Sequence, residues 1–147
     1  MTERRLFQAI VLFASIVPVA AGAAGVLIGP TMLHGVAVAG PDLESHFRYL
    51  SGLLLGIGLC FAACVADLDR RAGLHRALSF IVILGGLGRI LNAVERGAPT
   101  GANRLAFLME LIVVPSLLLW LGRIEKRAKH EWTNSSRSAG AAFGDDP

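Results

Sequence analysis

Charge is what this chain has least of. Asp, Glu, Lys and Arg make up only 17% of its 147 residues, where soluble domains carry about a quarter. The shortage is also uneven: residues 6–32 and 49–66 hold no charged side chain, and residues 77–94 and 105–121 hold one each, Arg89 and Glu110. Such a distribution leaves too little polar surface to wrap four apolar segments in water, which argues against a soluble helical domain. Cysteine is scarce too. Cys60 and Cys64 lie four apart inside an apolar block with no ligand residue adjacent, so they read as small reduced hydrophobes, not as a metal or redox site. No H-E-x-x-H, no Ser-His-Asp arrangement and no G-x-x-x-x-G-K-[ST] loop occurs, and the Gly85-Gly-Leu-Gly88 string follows no strand. No catalytic residue, metal or cofactor is therefore assigned.

What is present is hydrophobicity, at 54% of residues and a mean hydropathy of +0.59. A bilayer core of ~30 Å is crossed by about 20 helical residues. The four blocks match that length, which predicts an all-α, integral membrane four-helix bundle with helices at about 6–28, 47–66, 75–94 and 104–122. The transmembrane domain covers 1–128, and a disordered cytoplasmic tail, poor in apolar residues, covers 129–147. The first block also has features of a signal peptide, but the uncharged stretch continues far enough to span, so the helix is expected to be retained. The sequence pI of about 9.4 does not point to nucleic acid, because the basic residues fall where membrane topology places them. Arg4, Arg5, Arg70, Arg71, Arg76 and the run from Arg123 to Lys129 all belong on one side, giving an N-in/C-in orientation. The lipid bilayer is the expected partner.

Between the first two helices, residues 29–45 read as an outer loop with Gly-Pro turns and with His34, Asp42 and Glu44, solvated rather than metal-binding. The second helix opens on a polar head, Glu44-Ser-His46-Phe-Arg48-Tyr49. Ser51, Gly52, Leu55 and Gly56 follow Arg48 at helical steps, placing its charge on a side where small residues let another helix approach. In the third helix, three glycines at 85, 86 and 88 suggest the same kind of contact. In the fourth, Pro115 predicts a bend near Glu110, and Trp120 lies at the inner interface.

Arg89 and Glu110 are the most informative pair. Each lies about five residues below the outer surface on antiparallel neighbours, roughly 7–8 Å deep. An unpaired charge there costs on the order of 2.5–3.5 kcal/mol, so pairing is expected, with Asn92 hydrogen-bonding on the same face. His46, Arg48, Tyr49, Ser51 and Asn92 complete an outer-leaflet polar cluster. Two readings of it stay open. In one it is a structural clasp; in the other it is a small pocket whose surplus positive charge is closed by Asp42, Glu44, Glu95 or an anionic ligand.

His46-Phe-Arg48-Tyr-Leu-Ser51-Gly52, Gly85-Gly-Leu-Gly-Arg89, Gly97-Ala-Pro99, and Glu110 with Pro115 and Trp120 together resemble the small bacterial four-helix membrane proteins catalogued as domain of unknown function 4345, over roughly residues 6–121. The resemblance implies four helices and no established activity. The functional expectation is a non-enzymatic protein of the bacterial inner membrane that binds a small anionic or lipid-like ligand, or serves the assembly of an oligomer or larger complex. The alternative is a membrane enzyme on a lipid-borne substrate, with Glu110 and His46 as acid–base groups.

Overall fold

The computed structural model describes residues 3–33, 36, 38–97 and 101–143, and every regular element among them is helical. Helix α1 spans Glu3–Ile28, α2 Pro41–Ala66 and α3 Leu68–Arg96. The fourth span is α4 (Ala102–Leu108), a π-helical segment (Met109–Val113) and α5 (Val114–Phe143). α1 packs on α2, α2 on α3, α3 on the π segment and α5, and α5 returns to α1.

Several helix ends differ from those expected. α2 starts at Pro41, inside the stretch read as a loop. Gly40 caps it, Pro41 stands at the first helical position and Asp42 and Glu44 fill the first turn, where acids meet the positive end of the helix dipole. α3 starts at Leu68 and not near 75, so Asp69, Arg70, Arg71 and Gly73 belong to a helix and Asp67 alone separates α2 from α3. Ending a span at its last uncharged residue misses these turns, because charged residues that reach the interface can remain helical. At the other ends, Gly29 (φ 80°, ψ −167°) and Gly97 (φ 94°, ψ 169°) adopt an extended positive-φ conformation that only glycine takes readily. Their amides donate to Gly25 O and Ala93 O at 3.0 Å.

The bend expected at Pro115 takes the form of a π turn. Proline has no N–H to give the carbonyl of Leu111, and the Val114 amide donates five residues back, to Met109 O. The disordered tail expected from 129 is not found over 129–143, where α5 continues. Lys, Arg, Glu and Ala favour helix without tertiary support, and the Thr133 and Ser136 hydroxyls donate to the carbonyls of Lys129 and Trp132 at 2.9 Å. His34, the turn residues 98–100 and residues 144–147 lie outside the described residues.

Small residues set the closest approach. A Cβ on Gly22 would lie 2.5 Å from the amide nitrogen of Leu55, one on Gly25 would strike Ser51 Oγ, and one on Gly58 would lie 2.8 Å from Val19 Cγ2. The intimate stripe on α2 is thus Ser51, Leu55 and Gly58, spaced by one helical turn or so. Gly52 meets only Val26, and Gly56 meets nothing. Of the four glycines in α3 only Gly86 makes a close contact, its Cβ position lying 2.8 Å from Leu111 Cδ2 and 3.1 Å from Glu110 Cβ. The larger core side chains, among them Phe7, Val11, Phe61, Leu117 and Leu121, gather at the end of the bundle that holds the N-terminus of α1.

Four helices are long and apolar enough to cross a membrane, yet at most 22% of the most apolar window of any of them is buried within the protein. So much apolar surface calls for an apolar surrounding. Gly22→Leu should cost about 3 kcal/mol, the upper end for overpacking, because backbone rather than a movable side chain stands in the way. Gly85→Leu faces open space and should change stability by no more than about 0.5 kcal/mol. Thermal melts of the two variants in detergent check the contrast, and equal losses would refute the close α1–α2 contact.

Candidate functional site

Two arginines approach the same end of the bundle and are used differently. Arg48, on α2, is held by two elements, its own helix and the end of α1. Its Nε and Nη2 donate to Glu44 Oε1 at 3.2 and 2.7 Å, and its Nη1 donates to the carbonyl of Val26 and, at 3.3 Å, to that of Leu27. Those carbonyls belong to the last turn of α1, where the helix leaves acceptors without internal donors. Glu44 therefore closes over the Arg48 charge, and the group works as a cap that fastens α2 to α1. Gly29 makes room for it: a Cβ there would sit 3.2 Å from Arg48 Nη2.

Arg89, on α3, is held on one side only. Its Nε lies 2.7 Å from Glu110 Oε2, and its Nη1 reaches Asn103 Oδ1 at 3.4 Å. The contact with Glu110 is a close ion pair without a well-directed hydrogen bond, since Oε2 has no hydrogen-bond partner among the described residues. The Arg89 side chain is 39% exposed and that of Glu110 17%. Two features place them. Gly86, one turn before Arg89, lets the π segment sit against α3, and that segment carries Glu110. Single π turns inside α-helices are frequent at functional sites.

The remaining cluster residues are more dispersed than expected. Asn92 is exposed and forms no hydrogen bond among the described residues; Asn103, across the turn on α4, takes the place expected for it. His46 and Tyr49 are exposed on α2, and His46 makes no hydrogen bond or ion pair there. Ser51 is buried against Gly25 and belongs to the α1–α2 contact. Arg48 binds α1 whereas Arg89 binds the π segment, so the polar residues at this end of the bundle form two separate groups. Among the described residues no set of three His, Cys, Asp or Glu side chains is placed to hold a metal ion. Both cysteines are free thiols, Cys60 exposed and Cys64 buried.

Residues 6–121 match the model of a family described as a domain of unknown function, DUF4345. The chain belongs to this family. The matched region takes in Arg48, Arg89, Asn103 and Glu110 and stops at Leu121, before the basic part of α5. No curated protein and no solved structure matches the chain.

One residue escaped the sequence reading. His75, on α3, is 1% exposed and neither of its nitrogens has a hydrogen-bond partner among the described residues. Its ring sits 5.7 Å from that of Phe7 and 5.1 Å, edge to face, from that of Phe61. Phe7 in turn meets Trp120 edge to face at 5.5 Å, so one aromatic group joins all four spans. A lone His near a helix start carries no pattern that foretells this; only its distance from Phe7 and Phe61 across the fold does.

If Arg89 and Glu110 stabilise each other, removing one leaves the other uncompensated. Arg89→Ala and Glu110→Ala should each cost on the order of 3 kcal/mol, the low end for breaking a buried pair because Arg89 is partly exposed, whereas Arg89→Leu with Glu110→Leu should recover most of the loss. A thermal-stability cycle over wild type, singles and double measures the coupling. Additive losses would refute direct pairing.

Proposed function

We propose that the protein is a non-enzymatic, multi-pass component of the bacterial inner membrane that holds a small anionic or lipid-like ligand at Arg89 near the outer leaflet. The observation that carries this is the unfinished coordination of that guanidinium. Glu110 engages Nε, Asn103 engages Nη1 at the long distance of 3.4 Å, and Nη2 forms no hydrogen bond among the described residues. An arginine offers its donors as a planar fork suited to carboxylate or phosphate oxygens. Arg48 has less capacity left, because Glu44 and the α1 carbonyls engage all three of its nitrogens. In a low-dielectric surrounding, a partly engaged cation attracts an anion strongly. The acid–base alternative has weaker support: Glu110 is committed to Arg89, and His46 stands exposed on another helix.

The orientation follows from the basic residues. Arg4, Arg70, Arg71, Arg76, Arg123 and Lys126 share the end at which α1 starts and α2 stops, which supports an orientation with that end and both termini in the cytoplasm. Reporter fusions at Gly140 and at Pro99 should report opposite compartments; a periplasmic signal from Gly140 overturns the orientation and moves the Arg89 site to the inner leaflet.

Native mass spectrometry of protein taken from its own membranes, followed by identification of co-purifying small molecules, tests the ligand. The expected result is an anionic metabolite or lipid on the wild type that is lost from the Arg89→Leu/Glu110→Leu variant while the variant stays folded. A folded double variant that keeps the same molecule would place the ligand elsewhere, and the pair would then be a clasp alone.

A further inference from the structure

At the opposite, basic end most charges are already spoken for. Arg4 pairs with Asp69 at 2.8 Å, Arg76 with Glu125, and Arg127 with Glu3 at 2.5 Å, while Arg71 caps Ala63 O at 2.9 Å. Arg123 and Lys126 enter no ion pair or hydrogen bond among the described residues. Glu3, which feels the Arg123 charge, is held by Arg127 and by the Trp120 indole N–H at 3.0 Å. Among the described residues the Arg5 and Arg70 side chains at this end are unpaired too, but Arg123 and Lys126 stand together on the side of α5 turned away from Leu117, Leu121 and Ile124, which pack on the core. That outward side carries an open, shallow patch formed by Leu118, Leu119, Gly122, Arg123 and Lys126. At Gly122 the patch has no side chain, and a Cβ at that position would meet no atom within 4 Å.

We infer that this face of α5 binds one anionic phospholipid of the surrounding bilayer, with the phosphate on Arg123 and Lys126 and the start of an acyl chain over Gly122 and against Leu118 and Leu119. From Leu118 to Lys126 the helix rises about 12 Å, and over that rise its outward face changes from apolar to cationic in the order in which a phospholipid changes from chain to headgroup. Arginine contributes a forked donor set and lysine a point charge, the two usual ways of holding a phosphate. Leu119, with 68% of its surface exposed, gives the site an apolar half that a free phosphate ion would not use. The site needs the spans to lie in a membrane, but it is independent of the ligand at Arg89, which sits at the other end of the bundle.

The test uses the full chain in nanodiscs of phosphatidylglycerol and phosphatidylcholine in equal parts, with lipid retention read by native mass spectrometry. The wild type should retain one phosphatidylglycerol in preference to phosphatidylcholine. Arg123→Gln with Lys126→Gln should weaken retention on the order of thirtyfold, since each basic residue near a membrane surface is worth about 1 kcal/mol toward anionic lipid and two are removed. Arg5→Gln with Arg70→Gln removes the same charge from exposed positions at the same end and should leave retention close to wild type. Gly122→Leu covers the bare backbone of the patch and keeps both charges, and its Cβ meets no protein atom within 4 Å, so it should also weaken retention. Equal loss in the two charge variants would mean a diffuse field and not a site. Undiminished retention in Gly122→Leu would likewise overturn the inference. Inorganic phosphate that displaced phosphatidylglycerol from detergent-solubilised wild type at low concentration would assign the cations to a headgroup or ion alone.

Discussion

A helix that ends away from water leaves carbonyls with no donor of their own, and in lipid surroundings each such group is costly. This protein meets that constraint by reaching across helices. Arg48 of α2 serves the last turn of α1 at one end. At the other, Gln8 of α1 donates to Val65 O at 2.9 Å and Arg71 of α3 donates to Ala63 O, both on the last turn of α2. These donors both satisfy the backbone and determine which helices are neighbours. The close α1–α2 seam makes the first of these possible, because Gly22, Gly25 and Gly58 bring the two backbones near enough for Arg48 to span the gap.

Much of the architecture was legible in the residues. Spans are long runs without charge because hydrocarbon excludes charge, and that signal survives whatever the packing. The depth of Arg89 and Glu110 could be counted from the turn between their helices, since a helix advances by a fixed rise, and the structure places the two side chains 2.7 Å apart. Helix starts were less legible. Pro41, Asp42 and Glu44 look like loop chemistry one residue at a time, while together they are a helix start.

Partners across the fold were not legible at all. Glu44 and Arg48 are four apart, so their pairing is local, but the hold of Arg48 on Val26 and Leu27 depends on where α1 stops. Asn92 and Asn103 are equivalent by composition, and only the path of the turn between α3 and α4 decides which one meets Arg89. The same holds for the glycines of α3: Gly85, Gly86 and Gly88 look alike in sequence, yet Gly86 alone points at a neighbour. His75 is the extreme case, a polar ring enclosed by Phe7 and Phe61 with no hydrogen bond to show for it. An arrangement of that kind constrains rotation of α3 without depending on directed bonds.

The single residue between α2 and α3 has a mechanical consequence. With only Asp67 at the joint, adding or removing one residue there would rotate one helix against the other by about 100°. α2 carries Arg48 and α3 carries Arg89, so the two arginines sit at the far ends of two arms that meet at this residue. The length of the joint therefore sets which way each arginine faces, although among the described residues no side chain connects the two polar groups.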